Sequence, residues 1–251
     1  MVISLLPFLW GGNRALADPQ SLSSFVPVQT EDAYETNLGK LELQGVGRFT
    51  RDSHNRRGSD LWNLEPTVKL GALPGLQLDI SAPYAAGSQS GANQGGYGVD
   101  VLYRFNAQTA YLPALALHAY YQEPYGAGHK SAQYTLRGIA TKWLGPSERS
   151  PRLHLNLNWY HRVQPSNTQR DDQLEMSLAL STLISDRTAL VTDMVHGAKP
   201  DRNANQTILE VGFRHEINDS LALSGGIGVG VGEQSPAFRA IFAIQKSFKL
   251  F

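Results

Sequence analysis

The 251 residues contain no cysteine. Disulfide frameworks and thiolate metal sites are therefore excluded. No apolar run reaches the roughly 18 residues that a membrane-spanning helix needs, so a helical membrane protein is excluded as well. Charge of neither sign prevails: 22 Lys+Arg balance 22 Asp+Glu, for a formal net charge of +0. Without a basic excess there is no electrostatic footprint for nucleic acid. Enzyme signatures are missing too. No G-x-S-x-G, H-E-x-x-H or phosphate-binding loop occurs, and the 7 histidines are scattered. His54 and His129 fall in polar loops, His118 and His154 on polar strand faces, and His161, His196 and His215 near strand ends. The sequence thus predicts no catalytic residue, no metal and no cofactor.

What the sequence does contain is alternation. In Arg152–Val163, residues Leu153, Leu155, Leu157 and Trp159 share one parity, while His154, Asn156, Asn158, Tyr160 and Arg162 share the other. A strand sends successive side chains to opposite faces, so this segment has one apolar and one wet face. Similar segments recur from Leu41 to Phe251, with the parity of Thr188–His196 left open. They give about twelve strands of the 9–11 residues that a tilted membrane strand needs. Short turns (Leu73-Pro74-Gly75, Ser185–Arg187, Asn218–Ser220) alternate with longer polar loops such as RDSHNRRGSD and AAGSQSGANQGG. Aromatics crowd strand ends: Trp62, Tyr84, Tyr97, Tyr121, Trp143, Trp159, Phe248 and Phe251. A soluble β-sandwich shares the period but explains neither the loop asymmetry nor the aromatic girdles. The expected fold is an all-β, antiparallel up-and-down transmembrane barrel of about 12 strands in a bacterial outer membrane. Hydrocarbon cannot satisfy a free strand edge, so Leu41–Phe49 is expected to pair with Phe238–Phe248. Lys246 and Lys249 interrupt the alternation and leave the register of the last residues open.

Three regions follow: 1–17, 18–36 and 37–251. In the first, the apolar block Val2–Trp10 precedes Ala15-Leu16-Ala17, the pattern of a signal peptide with its cleavage site. The missing positive n-region is what a start displaced downstream of the natural one would leave. Residues 18–36 form an acidic leader carrying Glu31, Asp32 and Glu35, expected either to enter the lumen as a partial plug, to hang in the periplasm, or to be disordered. Residues 37–251 are the barrel.

The polar parities compose an inner wall of nearly balanced sign. Its acids are Glu42, Glu65, Asp79, Asp100, Glu175 and Glu210, with Asp193; its bases are Arg48, Lys69, Arg104, Arg137, Arg162, Arg214 and Arg239. The expected pore-lining set is Glu65, Lys69, Asp79, Asp100, Arg104, His118, Arg137, His154, Asn156, Asn158, Arg162, Glu175, Glu210, Arg214 and Arg239. One strand differs: Ala222, Ser224, Gly226, Gly228, Gly230 and Gly232 share the inward parity. Such a strip either leaves room for a solute or plug, or eases curvature beside bulky neighbours.

The stretch PVQTEDAYETNLGKLELQGVGRF carries Thr30-Glu31-Asp32-Ala33 and Gly39-Lys40-Leu41-Glu42-Leu43. Asn63–Tyr84 holds two strands about a tight turn, ending in D-I-x-x-P-Y. In these features the chain resembles the outer-membrane transporters grouped as MetA-pathway of phenol degradation proteins. That resemblance implies a barrel that moves small molecules, hydrophobic or aromatic ones included, and implies no catalytic residues. The expected function is a passive channel or facilitator for uptake or export. Its partners would be outer-membrane lipid, a small-molecule solute and, during biogenesis, the barrel-assembly machinery. A lipid-hydrolase-like barrel enzyme and a sealed structural barrel are the alternatives.

Overall fold

The computed structural model describes residues 18–52, 60–88, 93–126, 131–147 and 149–251. The signal-peptide reading of 1–17 and the loop positions of His54 and His129 lie outside the described residues. Thirteen strand segments follow one another: β1 (Lys40–Arg51), β2 (Asp60–Leu73), β3 (Leu76–Ser81), β4 (Tyr84–Gly87), β5 (Gln94–Asn106), β6 (Ala114–Gly126), β7 (Gln133–Trp143), β8 (Arg152–Arg162), β9 (Asp172–Ser185), β10 (Thr188–Ala198), β11 (Asn205–Asn218), β12 (Leu221–Gly230) and β13 (Phe238–Lys249). Both β3 and β4 pair with β2 on one side and β5 on the other, so they share one place and the barrel has twelve. The interruption is chemical. Pro83 falls in the gap between β3 and β4, and Pro66 of β2 lies beside it, its carbonyl accepting from the Ala82 N–H at 3.0 Å. Two residues without N–H donors are thus gathered at one break in the ladder.

Every neighbouring pair is antiparallel, and β1 closes on β13 from Lys40↔Lys249 to Arg51↔Phe238, as the chemistry of a hydrocarbon-buried edge requires. The last strand is in continuous register. Phe248 faces outward opposite Leu41, and Lys246 Nζ donates to Ser220 Oγ at 2.7 Å on the turn-side rim. One end of the barrel carries tight turns: Gly75 adopts φ +80°, and the Asn218 side chain accepts from the Ser220 N–H. The other end carries the long loops.

The outward face is apolar and mostly aliphatic around the girth, with Leu64, Ile80, Val99, Leu117, Leu136, Leu157, Met176, Met194, Val211, Ile227 and the ring of Phe242 among those exposed. Rings gather above it at the long-loop rim, where Phe49 meets Trp62 at 4.8 Å, Tyr97 meets Tyr125 at 5.0 Å and Tyr121 meets Tyr134 at 4.8 Å. Trp143 is a correction to the girdle expected from sequence. It sits opposite the inward-facing, buried Arg152, whose guanidinium lies 5.7 Å from its ring, so it belongs to the lumen side.

Candidate functional site

Inside the barrel, the polar parity meets a second body. Residues 18–36 rise from the turn side to about mid-height and return as a hairpin. Asp32 ties the two limbs together: its carboxylate accepts from the Leu22 N–H at 2.7 Å and the Tyr34 N–H at 2.8 Å, and its own N–H donates to Leu22 O at 3.0 Å. Leu22 and Val28 pack on Ala179 and Val191; Val26 packs on Val46, Ile241 and Ala243; Ala33 packs on Leu102, Ala114, Ala116 and Ile139. These aliphatics occupy inward positions that alternation assigns to polar side chains. They also explain why the parity of β10 was open: Val191 faces the hairpin while Leu190 and Met194 face outward, so both faces are apolar.

The barrel meets the hairpin with one polar contact after another. The Gln29 N–H donates to Glu210 at 3.0 Å, and Gln29 Nε2 to Glu175 at 2.7 Å. Arg239 reaches both Gln29 Oε1 at 2.6 Å and Glu210 at 3.0 Å. Thr30 meets Asp193 through its N–H (3.1 Å) and its hydroxyl (2.8 Å). Asn156 clamps the backbone of Glu31 in both directions, each bond at 2.8 Å. Two ion pairs fix the stems: Asp18 with Arg152 at 2.6 Å, and Glu35 with both arms of Arg104 at 2.6 and 2.8 Å.

The Glu31 carboxylate gathers three donors on one oxygen. Its Oε2 accepts from Arg137 Nη1 at 2.6 Å, from His118 Nδ1 at 2.8 Å and from Ser24 Oγ at 3.0 Å. Both barrel donors are themselves positioned, Arg137 by Asn158 at 2.7 Å and His118 by Asp100 at 3.1 Å.

The glycine strip has a partner. At Gly226 an added Cβ would lie 2.3 Å from the Pro27 carbonyl oxygen, and at Gly212 it would lie 2.9 Å from Pro27 Cβ. The close approach of the hairpin's tip needs a wall without side chains there. Gly228 and Gly230 instead make room for Glu210 and for Ser235 and Pro236.

Above the hairpin lies a cavity of about 1120 Å³ toward the long-loop end. Ser24, Phe25 and Glu31 form its floor, and the Phe25 ring lies 3.8 Å from the Arg48 guanidinium. Its wall is sectored. Glu65, Asp79 and Asp100, with Lys69, stand on β2, β3 and β5; Arg48 and Arg239 stand on β1 and β13; Arg137 and Arg162 stand on β7 and β8, with His118 between sectors. Of the residues expected to line a pore, Glu65, Lys69, Asp79, Asp100, His118, Arg137, Arg162 and Arg239 border this cavity. The others face elsewhere within the lumen. Arg104, Asn156, Glu175 and Glu210 bind the hairpin, Asn158 positions Arg137, and His154 is buried between Thr141 (3.1 Å) and Ser181 (3.0 Å). Arg214 is buried on β11 with two of its nitrogens unpaired. Alternation had no means of finding Ser24, Phe25 and Pro27, because the hairpin is not a strand; the inward aliphatics Leu102, Ile139 and Val191 were its trace in the sequence.

No protein-family description and no curated protein sequence matches the chain. Solved structures do. An outer membrane channel from Pseudomonas putida F1 superposes with a TM-score of 0.65 at 13% identity, over 86% of this chain and 98% of that one. The KdgM porin in complex with disordered oligogalacturonate gives 0.57 at 8% identity, over 83% and 99%. The NanC porin gives 0.54 at 12%, over 84% and 100%. The chain is an outer-membrane β-barrel. The likeness is one of fold, and it accords with the aliphatic girth, the aromatic rim and the closed ladder; the barrel sits in a bacterial outer membrane. On the outer surface, His196 contacts Thr207 Oγ1 at 2.8 Å, with no serine beside it among the described contacts.

Proposed function

We propose that the barrel is a passive channel for small polar solutes, with residues 18–36 as a plug that must loosen for conduction. The cavity carries this reading: about 1120 Å³ of space, bordered by charged and hydroxylated side chains, ends on the hairpin rather than on the barrel wall. Apolar lining residues such as Leu61, Pro124, Pro200 and Pro236 stand toward the long loops, and deeper in Phe25, Pro83, Tyr120 and Tyr160 offer apolar surface among the charged and hydroxylated side chains. Such a wall solvates hydrophilic solutes, including aromatic ones bearing polar groups, better than hydrocarbons. The porin and channel neighbours support transport, and the leader motif supports kinship with the MetA-pathway transporters. In this reading the protein is no enzyme; its partners are outer-membrane lipid, a small solute and, during insertion, the barrel-assembly machinery.

The hairpin's dense bonding favours one rival, a barrel sealed by its own leader. Planar-bilayer recording of the full chain separates the two. The channel reading expects brief, small conductance steps that grow when the hairpin's contacts are weakened. Silence at every voltage, from the native chain and from weakened variants alike, establishes the sealed barrel instead.

A further inference from the structure

We propose that Arg137 and His118 form a carboxylate-binding site in the lumen wall, that Glu31 occupies it in the docked state, and that a small organic monocarboxylate entering from the long-loop side displaces Glu31 and frees the hairpin. The inference rests on the channel reading of the same lumen and names the chemistry of its solute.

The site belongs to the barrel and not to the leader. Arg137 is held by Asn158 and His118 by Asp100, so both donors keep their aim whether or not Glu31 is present. They converge on one oxygen, Glu31 Oε2, as donors do around an anion. Glu31 is also the one leader carboxylate within reach of an entering molecule. Asp32 is consumed inside the hairpin, and Glu35 is paired with Arg104 at the turn side, whereas Glu31, Ser24, Arg137 and His118 all border the cavity.

Displacement has a chemical condition. The Arg137 side chain is 6% exposed, so removing Glu31 without replacement leaves a buried guanidinium unpaired. Another carboxylate restores the pairing and a neutral molecule does not, so the exchange discriminates by charge and not by shape alone. Asp100 on the far side of His118, Asp79 opposite it across the β3–β5 ladder and Glu65 on β2 outnumber the Lys69 of this sector and set a net negative boundary against a second carboxylate. This favours monocarboxylates over dicarboxylates.

The absence of cysteine allows a single reporter in the full chain. Val28 is 0% exposed beneath the hairpin, so Val28→Cys reacts with a maleimide only when the hairpin leaves its seat. Benzoate and its neutral counterpart benzamide are the probes, with barrel integrity followed by heat-modifiable gel mobility. Benzoate is expected to accelerate labelling roughly tenfold in a saturable manner, the response to a differential affinity of that size, while benzamide leaves it unchanged. Adding Glu31→Gln is expected to give fast labelling that benzoate no longer alters. Ala33→Cys, also 0% exposed and on the returning limb, serves in the same way if Val28→Cys does not assemble. Equal responses to benzoate and benzamide overturn the site, as does fast labelling without any probe. No response to benzoate in the parent, when Glu31→Gln alone is fast, overturns it too. Conductance recorded in parallel keeps the two readings apart. Benzoate-driven labelling without current supports the site and refutes the channel; current and labelling both indifferent to benzoate refute the site and leave the channel standing.

Discussion

Gly226→Ala tests the docked hairpin at its tightest point. The added Cβ would lie 2.3 Å from Pro27 O, with the next contact at 3.4 Å. Ordinary carbon–oxygen contact requires Pro27 to retreat by about 1 Å. Pro27 stands between Val26 and Val28, both fully buried, so the retreat disturbs two apolar contacts at once. Overpacking of this kind costs about 1–3 kcal/mol, which lowers the docked-to-undocked ratio about 5–150-fold. The barrel itself loses nothing, because alanine is no worse than glycine in a strand. The assay is hydrogen exchange at the N–H groups of Gln29, Thr30, Glu31 and Ala33, each of which donates to a barrel side chain. Gly138→Ala is the control, since nothing lies within 4 Å of its Cβ position. Protection of the hairpin is expected to fall in Gly226→Ala and to hold in Gly138→Ala, while the strand ladders keep theirs. Equal hairpin protection in the two variants would falsify the steric argument, and loss confined to the strands would show that the strain falls on the barrel.

Two further substitutions address other parts of the account. Leu157→Arg, on the outward face midway along β8, is expected to cost the barrel about 2–4 kcal/mol of stability in liposomes, and Val163→Arg at the rim about 0–1 kcal/mol; equal costs from urea unfolding would contradict a lipid-facing girth. Arg104→Gln removes the two bonds to Glu35 at a partly exposed site, where a discounted loss of about 1 kcal/mol is expected. That predicts roughly fivefold faster exchange of the Thr36 N–H, which now donates to Gln77; an unchanged rate means the stem is held without this pair.

Period-2 alternation carried the barrel. It placed Leu153–Trp159 outside and His154–Arg162 inside, and the backbone argument for closure brought β1 to β13. Alternation failed where a side chain answers to something other than lipid or water. Trp143 looked interfacial because aromatics at strand ends are usually interfacial, yet it faces Arg152. Leu102 and Ile139 are apolar at positions of inward parity, where they meet Ala33. The glycine strip of β12 left open whether a solute, a plug or bulky neighbours take up the room, and the fold places Pro27 there at Gly226. The path of residues 18–36 has no periodic signal, since their conformation is dictated by partners far away in the chain.

That remoteness bears on assembly. Gln29 bonds to Glu175, Glu210 and Arg239, separated from it by 146, 181 and 210 positions. The cradle for residues 18–36 is therefore unfinished until the final strand has joined its neighbours. Loop-closure entropy of that size defers such contacts. On that argument the hairpin is expected to settle after the cylinder has formed, so that a newly inserted barrel would pass through a stage with an empty lumen.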